Sequence, residues 1–124
     1  MVFDHISTVH YIEPSKPVIN ISGTPRTIEA KDRSPITLII GYNVTALTNT
    51  SITIQCPTSG VPTPTITWTK HGQEITNNGR YTVQDDDSLL ISKAAGEDSA
   101  RYTCTADSVT GKDNVSSTVQ IVGK

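Results

Sequence analysis

From about residue 36 onward, apolar and polar positions alternate in short stretches broken by turn residues. Ile52, Ile54 and Cys56 alternate with Thr53 and Gln55. Ile66 and Trp68 alternate with Thr65, Thr67 and Thr69. Leu89 and Ile91 stand between Ser88 and Ser92, with Leu90 breaking the polar side. Tyr102, Cys104 and Ala106 alternate with Thr103 and Thr105, and Val115, Val119 and Ile121 share one parity. A period of two puts one set of side chains in a core and the other in water. Turn signals fall between these stretches, at Ser59-Gly60, His71-Gly72, Asn78-Gly79 and Gly111. Several strands at short, regular spacing predict an all-β sandwich or barrel.

Residues 1–34 lack this texture. Pro14, Pro17 and Pro25 interrupt them, Pro35 follows, and their charges are mixed. Such a stretch reads as linker or tail. Val18-Ile19-Asn20-Ile21 is the exception, a short alternation that predicts an edge strand near 18–22, where neighbouring prolines are tolerated. The expected organisation is therefore a linker over 1–34 and one domain over 35–124.

Composition narrows the class. Of the 124 residues 35% are hydrophobic and 5% aromatic, so the core must be small and an added covalent link matters. Abundant Thr favours strands. A formal net charge of −2 with both signs scattered gives no basic patch for nucleic acid or an anionic membrane. No apolar run approaches the roughly 20 residues of a membrane-spanning helix. The opening residues lack the basic and apolar regions of a secretory leader, so a secreted parent would make this chain a fragment.

Cys56 and Cys104 allow one intrachain pairing; in a reducing compartment they would stand as two buried thiols. Asn-X-Ser/Thr occurs at Asn20, Asn43, Asn49 and Asn114. By Ser and Thr content, about 1.5 of the six asparagines should match by chance. This excess points to the secretory pathway, N-linked glycans and an oxidised cysteine pair.

Cys56, Trp68 and Cys104 all lie on the inward parity of their stretches, with Tyr102 two residues before the second cysteine. Gly60-Val-Pro-Thr-Pro-Thr-Ile-Thr-Trp68 resembles the approach to strand C in immunoglobulin domains of the intermediate (I-set) kind. Asp98-Ser-Ala-Arg-Tyr-Thr-Cys104 resembles their strand F motif, with Ala100 in place of the usual Gly. The resemblance implies a Greek-key β-sandwich of two antiparallel sheets joined by a Cys56–Cys104 bridge packed on Trp68. It also implies a Tyr102 tyrosine corner and a structural ion pair between Arg80 and Asp98. More narrowly, Asn43-Val-Thr-Ala-Leu, the Pro-Thr-Pro run and the Thr-rich strands resemble the modules of ADAMTS-like and papilin-type matrix glycoproteins. The 48-residue separation of the cysteines leaves no room for the extra strands of a variable-type domain.

A search for chemistry favours bland readings. His5 and His10 read as tail residues and His71 as a turn residue, since no further ligand stands at zinc spacing. Asp85-Asp86-Asp87 lacks the spaced oxygens and glycine of a calcium loop. No Ser or Cys is set beside a His for nucleophilic attack, and no glycine loop is built for phosphate. The expectation is a non-catalytic interaction or spacer module of a secreted matrix or adhesion glycoprotein, needing no cofactor, nucleic acid or membrane insertion. Its partners would be extracellular proteins, matrix components and neighbouring domains. The alternative is the ectodomain of a cell-surface receptor. The Thr-rich face of strand C and the loop Asp107 to Asn114 are the candidate contact surfaces.

Overall fold

The alternating stretches become strands of a sandwich in the computed structural model, which describes residues 13–21, 23–24 and 26–123. A four-stranded sheet has the order β3 (Ile36–Ile39), β5 (Ile52–Gln55), β10 (Leu89–Ile91), β9 (Tyr81–Val83). A six-stranded sheet has the order β2 (Thr27–Glu29), β4 (Asn43–Leu47), β12 (Gly111–Val122), β11 (Ala100–Ser108), β7 (Thr65–Lys70), β8 (Gln73–Glu74). A third, two-stranded sheet joins β1 (Ser15–Ile19) to β6 (Thr58–Val61). One 3-10 turn, Gly96–Asp98, precedes β11.

The core forms where inward parities meet. Val44, Ile52, Ile54, Trp68, Leu89, Ile91, Tyr102, Cys104 and Val119 are fully or almost fully buried. Each buried aliphatic side chain of this kind contributes about 1.5–3 kcal/mol relative to exposure. Cys56 and Cys104 are joined across the core as a disulfide, with Cα atoms 6.5 Å apart. Trp68 is the cross-strand partner of Cys104, so the indole lies directly beside the bridge. Its Nε1–H donates to the Asp87 carbonyl at 2.8 Å, which satisfies the one polar atom of a buried ring.

Two features differ from the sequence expectation. First, the stretch over 1–34, read as linker or tail with an edge strand near 18–22, carries that strand and one more. β1 starts at Ser15, ahead of the anticipated 18–22, and pairs antiparallel with β6; β2 joins the six-stranded sheet. Ile19 belongs to the core. The approach of β1 depends on Gly60 (φ 146), because a Cβ there would fall 3.0 Å from the Pro17 Cα. Pro17 supplies no N–H, and the β1–β6 register is irregular between Ser15 and Val18, where that proline sits.

Second, the sheets are not purely antiparallel. β3 runs parallel to β5, and β4 runs parallel to both β2 and β12. A turn at Gly41 (φ 105) passes the chain from β3 in one sheet to β4 in the other. The Gly41 N–H donates to the buried Ser117 hydroxyl at 2.8 Å, so an otherwise costly buried polar side chain holds this crossing. Residues 1–12, which include His5 and His10, lie outside the described residues.

Candidate interaction surfaces

The residues that the sequence singled out around Asp98 form a clasp between β9, the 3-10 turn and β11. The Asp98 carboxylate is 1% exposed. It accepts from the Arg80 guanidinium, from the Tyr81 hydroxyl at 2.5 Å and from the Ala95 N–H at 2.8 Å. Its backbone carbonyl takes the Tyr102 hydroxyl at 2.6 Å. Burial pushes the Tyr102 phenol well above its ordinary range, with the neighbouring Tyr81 hydroxyl adding to the effect. Arg80 reaches outward to Glu97 at 2.8 Å. The Lys70 ammonium donates to the Glu97 carbonyl and the Tyr81 hydroxyl and lies 5.6 Å from the Tyr81 ring centre. The sequence pointed to Arg80, Asp98 and Tyr102. Tyr81, Lys70, Glu97 and Ala95 went unnoticed, because their roles depend on which loops meet. Each side chain named in the clasp is bonded to another part of the fold, so the cluster is accounted for as a structural tie between β9, the 3-10 turn and β11.

Asp86 and Asn78, in two of the other singled-out loops, bond within their own turns. Asp86 accepts from the Ser88 hydroxyl at 2.5 Å and from its N–H at 3.0 Å, and these bonds hold its carboxyl below the usual carboxylate range. Asn78 caps its own turn, accepting from the N–H groups of Arg80 and Tyr81. His71 (φ 51) occupies the turn between β7 and β8 and is exposed. Among the described residues, no three His, Cys, Asp or Glu side chains gather as a metal site. No helix among them is long and apolar enough to cross a membrane.

What remains open is surface. The outer face of the six-stranded sheet is an array of hydroxyls in register: Thr69 beside Thr103 beside Ser116, and Thr67 beside Thr105 beside Asn114. The Thr103 and Ser116 hydroxyls bond to each other at 2.7 Å. The loop expected at Asp107 to Asn114 is a tight hairpin. Its tip, Val109, is 92% exposed. β1 braces this hairpin: the Thr110 hydroxyl donates to the Ser15 carbonyl at 2.9 Å, and the Ile19 N–H donates to Asp113 at 2.8 Å. The outer face of the four-stranded sheet sets Leu90 between Thr53 and Thr82. Beside it, Ile28, Ile39 and Tyr42 help to line an apolar concavity of about 280 Å³. The sequence signal for this second face was Leu90 itself, the apolar residue on a polar parity. The four sequon asparagines, Asn20, Asn43, Asn49 and Asn114, are all exposed. Ser22, the third residue of the first sequon, lies outside the described residues.

The sandwich, its bridged core and its corner tyrosine define an immunoglobulin fold, and the family model for the immunoglobulin I-set domain matches residues 35–121; the chain belongs to that family. Over 92 residues it is 36% identical to ADAMTS-like protein 1 of Homo sapiens, covering 73% of this chain and 5% of that protein. Neural cell adhesion molecule 1 of Bos taurus is 33% identical over 107 residues, covering 84% of this chain and 12% of that one. A titin homolog of Caenorhabditis elegans is 40% identical over 92 residues, covering 71% of this chain and, to the nearest percent, 0% of that one. The solved structure of neural ectodermal development factor IMP-L2 superposes with a TM-score of 0.67 at 26% identity, covering 94% of this chain and 48% of that one. The chain thus spans a small part of the curated relatives it matches. It is an immunoglobulin module of the kind found in larger extracellular and adhesion proteins, a family whose domains are generally non-catalytic.

Proposed function

We propose that this chain is a non-catalytic contact or spacing module of a larger secreted matrix or adhesion glycoprotein. The observation that carries this is the buried Cys56–Cys104 bridge, which belongs to an oxidising compartment. The exposed sequon asparagines and the likeness to ADAMTS-like protein 1 and neural cell adhesion molecule 1 support the same reading. The module acts through its surfaces, since its polar clusters are satisfied internally. Its partners are other extracellular proteins or matrix components, together with the neighbouring domains of its parent.

A second reading, which the likeness to the titin homolog accompanies, is an intracellular muscle-type I-set domain. A receptor ectodomain is a third form of the extracellular reading. An antibody against the folded chain, applied to intact and to permeabilised cells of the source tissue, separates outside from inside. Labelling of intact cells or their matrix is expected. Labelling that appears only after permeabilisation refutes the extracellular reading.

A further inference from the structure

The hydroxyl-rich face of the six-stranded sheet looks like a contact surface by composition, yet two sequons open onto it. Asn114 lies on β12 directly opposite Thr105, which in turn lies opposite Thr67. Asn43 lies on β4 opposite Thr27 of β2, on the same outward parity, because its neighbour Val44 is buried. Both asparagines are exposed. Asn43 is anchored to β12, since its Oδ1 accepts the Thr118 N–H at 2.9 Å. That donor fixes the amide orientation: the oxygen is held against the sheet, and Nδ2 is the branch left for other bonds. Thr118 is four residues along β12 from Asn114, about 13 Å at strand spacing, and β4 lies about 4.8 Å to the side. The two asparagines therefore stand on one face, with their backbones on the order of 14 Å apart.

We propose that this face is glycan-bearing, with N-linked oligosaccharides on Asn43 and Asn114 covering the Thr67–Thr105 hydroxyl array, so that protein contacts are made on other surfaces. The inference rests on the extracellular reading above. In the transfer, Nδ2 loses one proton and bonds the anomeric carbon of an oligosaccharide. The diphosphate-linked lipid carrier leaves from that carbon with the bonding pair, the proton passes to solvent, and no atom changes oxidation state. At Asn43 the reaction consumes an Nδ2 proton and leaves Oδ1 untouched, so the bond to the Thr118 N–H survives modification. A Gln substitution would displace that oxygen by one methylene, so loss of sugar and loss of the anchor are separated by enzymatic deglycosylation, which converts Asn to Asp and keeps an oxygen acceptor.

The full chain is expressed behind a secretory leader in animal cells. Peptides from the secreted protein are then compared before and after an amidase that removes N-linked sugars. Asn43 and Asn114 should both carry sugar, with Asn43→Gln and Asn114→Gln each removing one glycan. In a Thr105→Cys variant, a polymer-bearing maleimide should label the new thiol several-fold faster after deglycosylation. A secreted, disulfide-bonded chain with either asparagine unmodified overturns the proposal, and so does a labelling rate that deglycosylation leaves unchanged. The extracellular reading fails by a different sign, free Cys56 and Cys104 thiols in the natural parent protein.

Discussion

Replacing Asp98 by Ala tests whether the clasp is structural. The carboxylate is almost wholly buried and receives three donors from three places in the chain: Arg80, Tyr81 and Ala95. In Asp98→Ala the Tyr81 hydroxyl and the Ala95 N–H lose their acceptor. Arg80 keeps Glu97 and water, since its side chain is 37% exposed. The Tyr102 bond to the Asp98 backbone carbonyl remains. Hydrogen bonds to a charged group contribute about 1.5–3 kcal/mol each. Removing one partner of a buried pair costs about 3–5 kcal/mol when the other charge is stranded. Arg80 is not stranded, so the expected loss is at the lower end, about 3 kcal/mol. For a domain of this size that lowers Tm by about 12–24 °C. Urea unfolding followed by Trp68 fluorescence should show the lower midpoint with an unchanged slope. Arg80→Ala leaves the buried Asp98 carboxylate without its cation, so by the same rule it should lose at least as much, about 3–5 kcal/mol. A loss below about 1 kcal/mol for Asp98→Ala, within the range of ordinary surface changes, would refute the reasoning. So would an Arg80→Ala variant that is barely destabilised.

Thr50 is buried and its Oγ1 has no hydrogen-bond partner, so Thr50→Val, which keeps the Asn49 sequon, should raise stability by about 1 kcal/mol in thermal unfolding; a lower Tm would contradict this. Reducing the Cys56–Cys104 bridge removes a cross-link over a sequence separation of 48, which loop entropy values at about 4 kcal/mol, and calorimetry with and without reductant should show a large fall in Tm. A chain beginning at residue 35 keeps the family match but loses β1, β2 and the buried Ile19. It should lose about 2 kcal/mol or more and exchange the amides of residues 111–113 faster, whereas an unchanged Tm would show that these two strands add nothing.

The all-β class was legible because alternation over Ile52–Cys56, Ile66–Trp68 and Tyr102–Ala106 is a local property of the chain. Any sandwich must bury that parity. The first strand was legible only in part: the Val18–Ile21 alternation predicted it, but its start at Ser15, ahead of Pro17, is set by pairing with β6 far along the chain, and β2 had no local signal. The parallel run of β3 beside β5 was hidden for a similar reason. Ile36 to Ile40 carries apolar residues on both parities, and the Gly41 turn, held by Ser117, separates β3 in one sheet from β4 in the other. Of the surfaces, the Thr face could be foreseen from Thr65, Thr67 and Thr69. Its company with Asn43 and Asn114 needed the register of β4 and β12, which no short-range pattern encodes.

The strands at the rims of the two larger sheets are all brief: β2 has three residues, β3 four, β8 two and β9 three. An intruding strand would find only a few unpaired N–H and C=O groups in a row before the ladder ended. When many such modules are strung on one polypeptide, their local concentration is high and their sequences are alike. Short rims then keep each unit folding on its own residues, because a register shared with the next unit would gain too few bonds to compete.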